Sequence, residues 1–143
     1  MELMFTESYH VARADYTSAG HASASIKRQL KQIGVGGDVL RRVAVASYEV
    51  ELNLVIHSLG GDLTLNVYPD CVELISSDTG PGIPDLKLAM KEGYSTANEM
   101  ARSLGFGAGM GLPNMKRNAD EFDIKSTVGV GTTITMGFHL RGN

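Results

Sequence analysis

Three polar residues occur at regular spacing within an otherwise apolar stretch, VAVASYEVELNLVIHS (residues 43–58). Glu49, Asn53 and His57 are four residues apart, so in a helix they lie on one face. Burying a carboxylate without a partner costs several kcal/mol. The pattern therefore predicts a largely buried helix whose polar stripe lines a cleft. The alternative is that Glu49 and Asn53 pair at the helix surface, where His57 ends the helix.

The residue types of this stripe suit phosphate chemistry. Asn53 offers an amide oxygen, and Mg²⁺ prefers hard oxygen donors and needs few protein ligands when phosphates and waters complete its shell. Glu49 is the candidate acid or base. Glu51 competes for that role, but it is two residues from Asn53 and so projects to a different side of the helix. The spacing selects Glu49, and we assign no chemistry to His57.

A second candidate is the turn DTGPGIPD (residues 78–85), which follows a predicted strand. Glycine allows a close backbone approach and proline fixes φ. The composition therefore predicts a rigid turn that presents the Asp78 carboxylate.

The third candidate is the segment GFGAGMGLPNM (residues 105–115), with glycine at every second position before a predicted helix. Backbone amides free of side-chain bulk beside a helix N-terminus make an anion site suited to phosphates. The segment is not a P-loop, because no Gly-Lys-Ser/Thr occurs in the sequence. It is not a dinucleotide-binding turn either, since the predicted hairpins do not provide a βαβ unit. The alternative is a flexible linker.

Composition limits the other classes of function. The 143 residues are about one domain long, and 43% hydrophobic with 20% charged residues is ordinary globular composition. A formal charge of −3 without a basic cluster argues against direct nucleic-acid binding. Cys71 is the single cysteine, so no internal disulfide is possible. The sequence shows neither a long apolar run nor a secretion signal, so we expect a cytoplasmic protein with no membrane partner.

Hydrophobic periodicity predicts the elements that position these residues. The predicted strands are 3–12, 62–69, 71–77, 122–127 and 132–140, and the predicted helices are 19–33, 38–58 with Asp38 as N-cap, 86–91 and 113–119. Because the strands come as neighbouring hairpins, we expect a two-layer α/β sandwich with a mixed, mainly antiparallel sheet covered by helices on one face.

Together these motifs resemble the four boxes of the GHKL ATPases, which have the Bergerat ATP-binding fold. Glu49-x-x-x-Asn53 resembles the N box and Asp78-x-Gly80-x-Gly82 the G1 box. Gly107-x-Gly109-x-Gly111-Leu112 resembles the G2 box and Gly131-Thr132-Thr133 the G3 box. Their order matches over nearly the whole chain, which implies a single ATPase domain at 1–143 with a lid at about 86–111.

The resemblance also implies roles for these residues. Asp78 would accept a hydrogen bond from the adenine amino group, and Thr133 would make a supporting contact near the adenine and Asp78. Asn53 would bind Mg²⁺, and Glu49 would be the base or orienting group for the attacking hydroxyl. The remaining nucleotide-binding residues implied by the G1 and G2 boxes are Gly80, Gly82, Ile83, Gly107, Gly109, Gly111 and Leu112.

A closer resemblance lies in EGYSTA (residues 92–97) and in GMGLPNMKRNADEFDIKSTVGVGTT (residues 109–133). These segments are similar to the small bacterial anti-sigma regulatory factors with serine/threonine kinase activity. The likeness implies transfer of the γ-phosphate of MgATP to a Ser or Thr of a STAS-domain anti-sigma-factor antagonist, with a sigma factor as the alternative partner and a homodimer as a further option. Two other functions stay open: a nucleotide-dependent binding module without turnover, and a stand-alone ATPase.

The segment NEMARSL (residues 98–104) departs from the family pattern, because it lengthens the stretch before the G2 glycines. No basic lid residue is fixed by a motif. Lys91, Arg102 and Lys116 could each face a phosphate, and the alternative for each, which the pattern favours, is a solvated side chain.

Overall fold

The computed structural model describes residues 2–80, 82, 83, 90 and 111–140. The elements in this part of the chain are β1 (Phe5–Val11), α1 (His21–Ile33), α2 (Gly37–His57), β2 (Gly61–Val67), β3 (Cys71–Asp78), α3 (Gly111–Asn118), β4 (Glu121–Thr127) and β5 (Gly131–His139). Of the predicted helix at 86–91 only Met90 is described, and of the predicted lid at about 86–111 only Met90 and Gly111 are.

The five strands form one sheet in the order β1-β2-β3-β5-β4. The predicted hairpins β2–β3 and β4–β5 are both present. All four neighbouring pairs are antiparallel, so the parallel pair that a mixed sheet needs is absent from the described strands. The last strand, β5, lies inside the sheet between β3 and β4.

The helices cover one face of this sheet, which confirms the predicted two-layer α/β sandwich. Side chains alternate along a strand, and the inward positions are apolar. The core comprises Leu63, Leu65 and Val67 of β2, Val72 and Leu74 of β3, Ile134, Met136 and Phe138 of β5, and Ile26, Leu30, Val43, Val50 and Leu54 of the helices. The opposite face of β1 and β2 is polar, with cross-strand hydrogen bonds such as Thr6 to Asn66.

The start of α2 differs from the prediction. Asp38 is not the N-cap, because the helix begins at Gly37 and Gly36 is the capping residue. Asp38 instead accepts hydrogen bonds from Arg41 and Arg42, which hold the pKa of its carboxyl below its usual range. Arg42 also donates to the Asn118 carbonyl oxygen at 2.8 Å. This side chain therefore joins the start of α2 to the end of α3.

Glu51 fixes α2 against α1. Its side chain is 2% exposed and accepts three backbone hydrogen bonds, from Gly20 at 3.0 Å, Ala22 at 3.1 Å and Ser23 at 2.9 Å. Gly20, the N-cap of α1, has no side chain to satisfy these amides. A carboxylate from another helix therefore caps α1, and its charge is favourable at a helix N-terminus.

Glu51→Ala is expected to lower the free energy of unfolding by about 3 kcal/mol, because buried N–H groups left without an acceptor cost about 1–3 kcal/mol each. Urea unfolding followed by circular dichroism measures the loss. Glu73→Ala is the matched control, since it removes a half-buried carboxylate on the sheet that accepts from the Asn66 side chain. A loss below about 1 kcal/mol for Glu51→Ala would contradict the capping role.

Candidate functional site

The first part of the site lies where α2 faces the start of α3. Glu49 and Asn53 are both half-buried on α2. Glu49 Oε2 accepts a hydrogen bond from Asn114 Nδ2 of α3 at 2.8 Å. Gly111 begins α3, and a Cβ at that position would lie 3.7 Å from Glu49 Oε1. The structure thus brings the predicted base to the N-terminal turn of the helix that follows the glycine-rich segment.

The second part is the Asp78 carboxylate at the end of β3. Asp78 is half-buried, and its Oδ1 accepts the backbone N–H of Thr132 at 3.0 Å. Burial raises the pKa of this carboxyl, and the Thr132 hydrogen bond partly opposes the rise. Among the described residues no other group donates to this carboxylate, which leaves Oδ2 for an external donor.

Thr133 was predicted to lie near Asp78, and the structure corrects this prediction by one residue. Thr132 shares the inward face of β5 with Ile134 and is 6% exposed. Thr133 is exposed on the opposite face, where it pairs with Ser77 across the strands. The residue that donates to the Asp78 carboxylate is therefore Thr132, through its backbone N–H. Its hydroxyl lies 2.8 Å from Ser126 Oγ. The alternation of strand side chains does not reveal this contact, because a backbone amide makes it.

The glycines after Asp78 allow a close approach to the β4–β5 hairpin. Gly82 has a φ of +75°, and a Cβ there would lie 2.5 Å from the carbonyl oxygen of Thr127. Gly80 N–H donates to the Val130 carbonyl oxygen at 3.2 Å, and Ile83 N–H donates to Ser126 Oγ at 2.7 Å. Besides the predicted room for a ligand, this turn thus requires glycine because it packs against protein backbone.

The same turn also touches the end of α2. A Cβ at Gly80 would lie 3.3 Å from the Cα atom of Ser58, and Leu59 N–H donates to the Thr79 carbonyl oxygen at 2.9 Å. Ser58 directly follows α2. The helix that carries Glu49 and Asn53 therefore contacts the Asp78 turn at its C-terminal end and α3 along its side.

The remaining predicted residues divide into two groups. Leu112 is buried in the core with Met115, and its predicted nucleotide contact stays a prediction. Gly107 and Gly109 lie outside the described residues, so their predicted phosphate contacts stay predictions.

Asn53 could hold a metal ion. No hydrogen bond joins its side chain to another described residue, so its hard amide oxygen can serve a ligand. In the described part of the chain, no three His, Cys, Asp or Glu side chains form a metal-binding group. A single amide oxygen from the protein suits Mg²⁺, which takes most of its other ligands from phosphates and water. Separately, no described helix has the length and apolar character needed to cross a membrane.

His57, the last member of the polar stripe, is half-buried at the end of α2, where burial lowers the pKa of its imidazole. The neutral form is therefore favoured at neutral pH.

Comparison with known proteins identifies the family. The family model described as histidine kinase-, DNA gyrase B-, and HSP90-like ATPase matches residues 38–142. This range contains every residue of the site described above. The antiparallel sheet with helices on one face agrees with the Bergerat fold expected of that family.

Curated relatives cover most of this chain. The serine/threonine-protein kinase RsbT of Bacillus subtilis is 33% identical over 108 residues, which are 73% of this chain and 75% of that protein. Anti-sigma F factors of Bacillus licheniformis and Geobacillus kaustophilus are 30% and 27% identical, each over 83% of this chain and 82% of the relative.

Proposed function

From the membership of this chain in the histidine kinase-, DNA gyrase B- and HSP90-like ATPase family, we propose that it is a protein kinase of the anti-sigma regulatory type. It transfers the γ-phosphate of ATP to a serine or threonine hydroxyl of a STAS-domain anti-sigma-factor antagonist, and this phosphorylation regulates bacterial transcription. Its relatives include one protein named a serine/threonine kinase and several named anti-sigma factors, which supports both the activity and the class of partner.

One observation carries the choice of a kinase over a passive nucleotide binder. Glu49 lies beside the first turn of α3, at the end of the glycine-rich segment proposed to bind phosphates. A carboxylate beside a phosphate site repels the ligand, so a module that only binds ATP gains nothing from it. A base for the attacking hydroxyl has to be at that place.

The proposed mechanism uses Asp78, Asn53 and Glu49 of this chain, and Thr132 supports Asp78. Asp78 Oδ2 accepts from the adenine amino group while Thr132 holds Oδ1. Asn53 is the ligand for Mg²⁺, which when bound offsets the charge of the triphosphate. Glu49 aligns the substrate hydroxyl and accepts its proton. The hydroxyl oxygen forms a bond to Pγ as the bond from Pγ to the bridging oxygen breaks, and ADP leaves. Positioning and charge neutralisation supply most of the rate in such reactions.

Incubation with γ-labelled ATP tests the proposal. The chain is incubated alone and with a purified STAS-domain anti-sigma-factor antagonist, and a partner whose acceptor Ser or Thr is changed to Ala is the matched control. Label on the intact partner only is the expected result. Free phosphate without labelled partner would make the protein an ATPase, and neither product would make it a binding module.

A further inference from the structure

Among the described residues, the side chain that hydrogen-bonds Glu49 is Asn114, in the N-terminal half of α3. Asn114 Nδ2 donates to Glu49 Oε2 at 2.8 Å, and Arg117 Nη2 donates to Asn114 Oδ1 at 2.7 Å. The three side chains form a directed relay from Arg117 through Asn114 to Glu49.

The relay has only one chemically possible direction. A guanidinium carries donors and no acceptor, so the Asn114 atom that faces Arg117 must be the amide oxygen. The amide nitrogen then faces Glu49, and an ionised carboxylate accepts hydrogen bonds only. The two neighbours therefore exclude the flipped orientation of the amide. Glu49 Oε2 is engaged, while Oε1 is the oxygen next to Gly111.

The neutral amide is the appropriate partner for a base. A lysine or arginine in contact with Glu49 would form an ion pair and stabilise the carboxylate against taking up a proton. An amide fixes the direction of the Glu49 carboxylate without adding a positive charge next to it.

We propose that Asn114 is a positioning residue of the transfer reaction: oriented by Arg117, it holds Glu49 Oε2 so that Oε1 faces the incoming hydroxyl. The inference rests on the kinase activity proposed above and extends it to a residue outside the four family boxes.

Attachment of α3 to α2 does not depend on this hydrogen bond. Leu112 and Met115 anchor α3 in the core, and Arg42 binds the carbonyl oxygen at its end. Asn114 is half-buried, and a hydrogen bond of this kind contributes about 1 kcal/mol to stability. A purely structural role would therefore leave the transfer rate almost unchanged.

Asn114→Ala is expected to lower kcat for labelled-phosphate transfer about tenfold, because the base loses its fixed direction, while the Kd for ATP and the unfolding midpoint stay near wild type. Asn118→Ala is the matched control, since it removes an amide of the same helix that donates to the Asn114 carbonyl oxygen. This control is expected to match wild type in all three measurements.

A double-mutant cycle separates positioning from a general effect. Asn114→Ala is expected to add no further loss in a Glu49→Ala background, because residues that act through one another are not additive. Additive losses, an unchanged kcat, or loss of folding or of ATP binding in Asn114→Ala would each overturn the inference. If wild type itself labels no partner, the kinase proposal fails and this inference fails with it; normal wild-type transfer with normal transfer by Asn114→Ala refutes the inference alone.

Discussion

Asp78→Asn is expected to abolish measurable ATP binding without unfolding the protein. Thr132 N–H requires an acceptor at Oδ1, so the asparagine must place its oxygen there and its NH₂ group at the position of Oδ2. That group would meet the adenine amino group donor to donor. A binding site whose buried polar group is left without a hydrogen-bond partner binds the ligand about 10⁴-fold or more weakly than a site that makes the bond. Calorimetric titration with ATP measures the loss.

The same substitution is expected to leave stability unchanged or to increase it. Burial raises the pKa of Asp78 in the folded protein, so the folded state favours the protonated carboxyl. The stability this group contributes is complete below the usual aspartate pKa and is lost as pH rises through the raised value. At neutral pH the ionised Asp78 carboxylate therefore destabilises the folded protein, and a neutral asparagine removes this destabilisation. Urea unfolding at pH 7 checks this expectation.

Asp62→Asn is the matched control for Asp78→Asn, because Asp62 is an exposed carboxylate on the adjacent strand that interacts with His10. It is expected to bind ATP as wild type does. Unchanged ATP affinity in Asp78→Asn would remove Asp78 from the adenine role, and global unfolding of that variant would assign it a structural one.

Glu49→Ala is expected to bind ATP normally and to lose about 10²-fold or more in transfer rate, the usual scale for a positioned base. Transfer of label to the partner and calorimetric ATP titration separate the two effects. Glu49→Gln tests the chemistry more closely, since it keeps an acceptor for Asn114 but cannot take up a proton. We expect Glu49→Gln to be as slow as Glu49→Ala.

Normal transfer by Glu49→Ala would mean that no carboxylate of α2 is the base. Glu51, the other acidic residue in this part of the helix, is buried against three backbone amides of the α1 N-terminus. Glu51 cannot reach a bound substrate without breaking its hydrogen bonds to these three amides.

The sequence predicts helices and strands well where the structure depends on the spacing of apolar side chains and on contacts between residues close together in the chain. Strand alternation placed β2, β3, β4 and β5 to within two residues at each end, and the layer arrangement followed from the hairpins. The face of α2 shared by Glu49 and Asn53 also followed from helical spacing. The cap of α1 did not, because Glu51 lies 28 to 31 residues from the amides it binds.

Other features depended on tertiary partners that the local sequence does not reveal. Asp38 is a good N-cap by type, but Arg41 and Arg42 bind its carboxylate. The sequence gives no indication of a role for Asn114, since its hydrogen-bond partner Glu49 lies 65 positions away. The alternation of β5 places the side chain of Thr132 rather than Thr133 beside Ile134 on the inward face. The hydrogen bond to Asp78 comes from the Thr132 backbone instead, so it depends on how β3 and β5 pair.

The attachment of the Asp78 turn to the terminal hairpin has a consequence during protein synthesis. Ser126, Val130 and Thr132 secure this turn from far along the chain, and β5 enters the middle of the sheet. A nascent chain whose β5 is still inside the ribosome has the Asp78 carboxylate but not the Thr132 amide that orients it. On the proposed adenine role of Asp78, a truncated product that lacks β5 is therefore expected to bind ATP poorly.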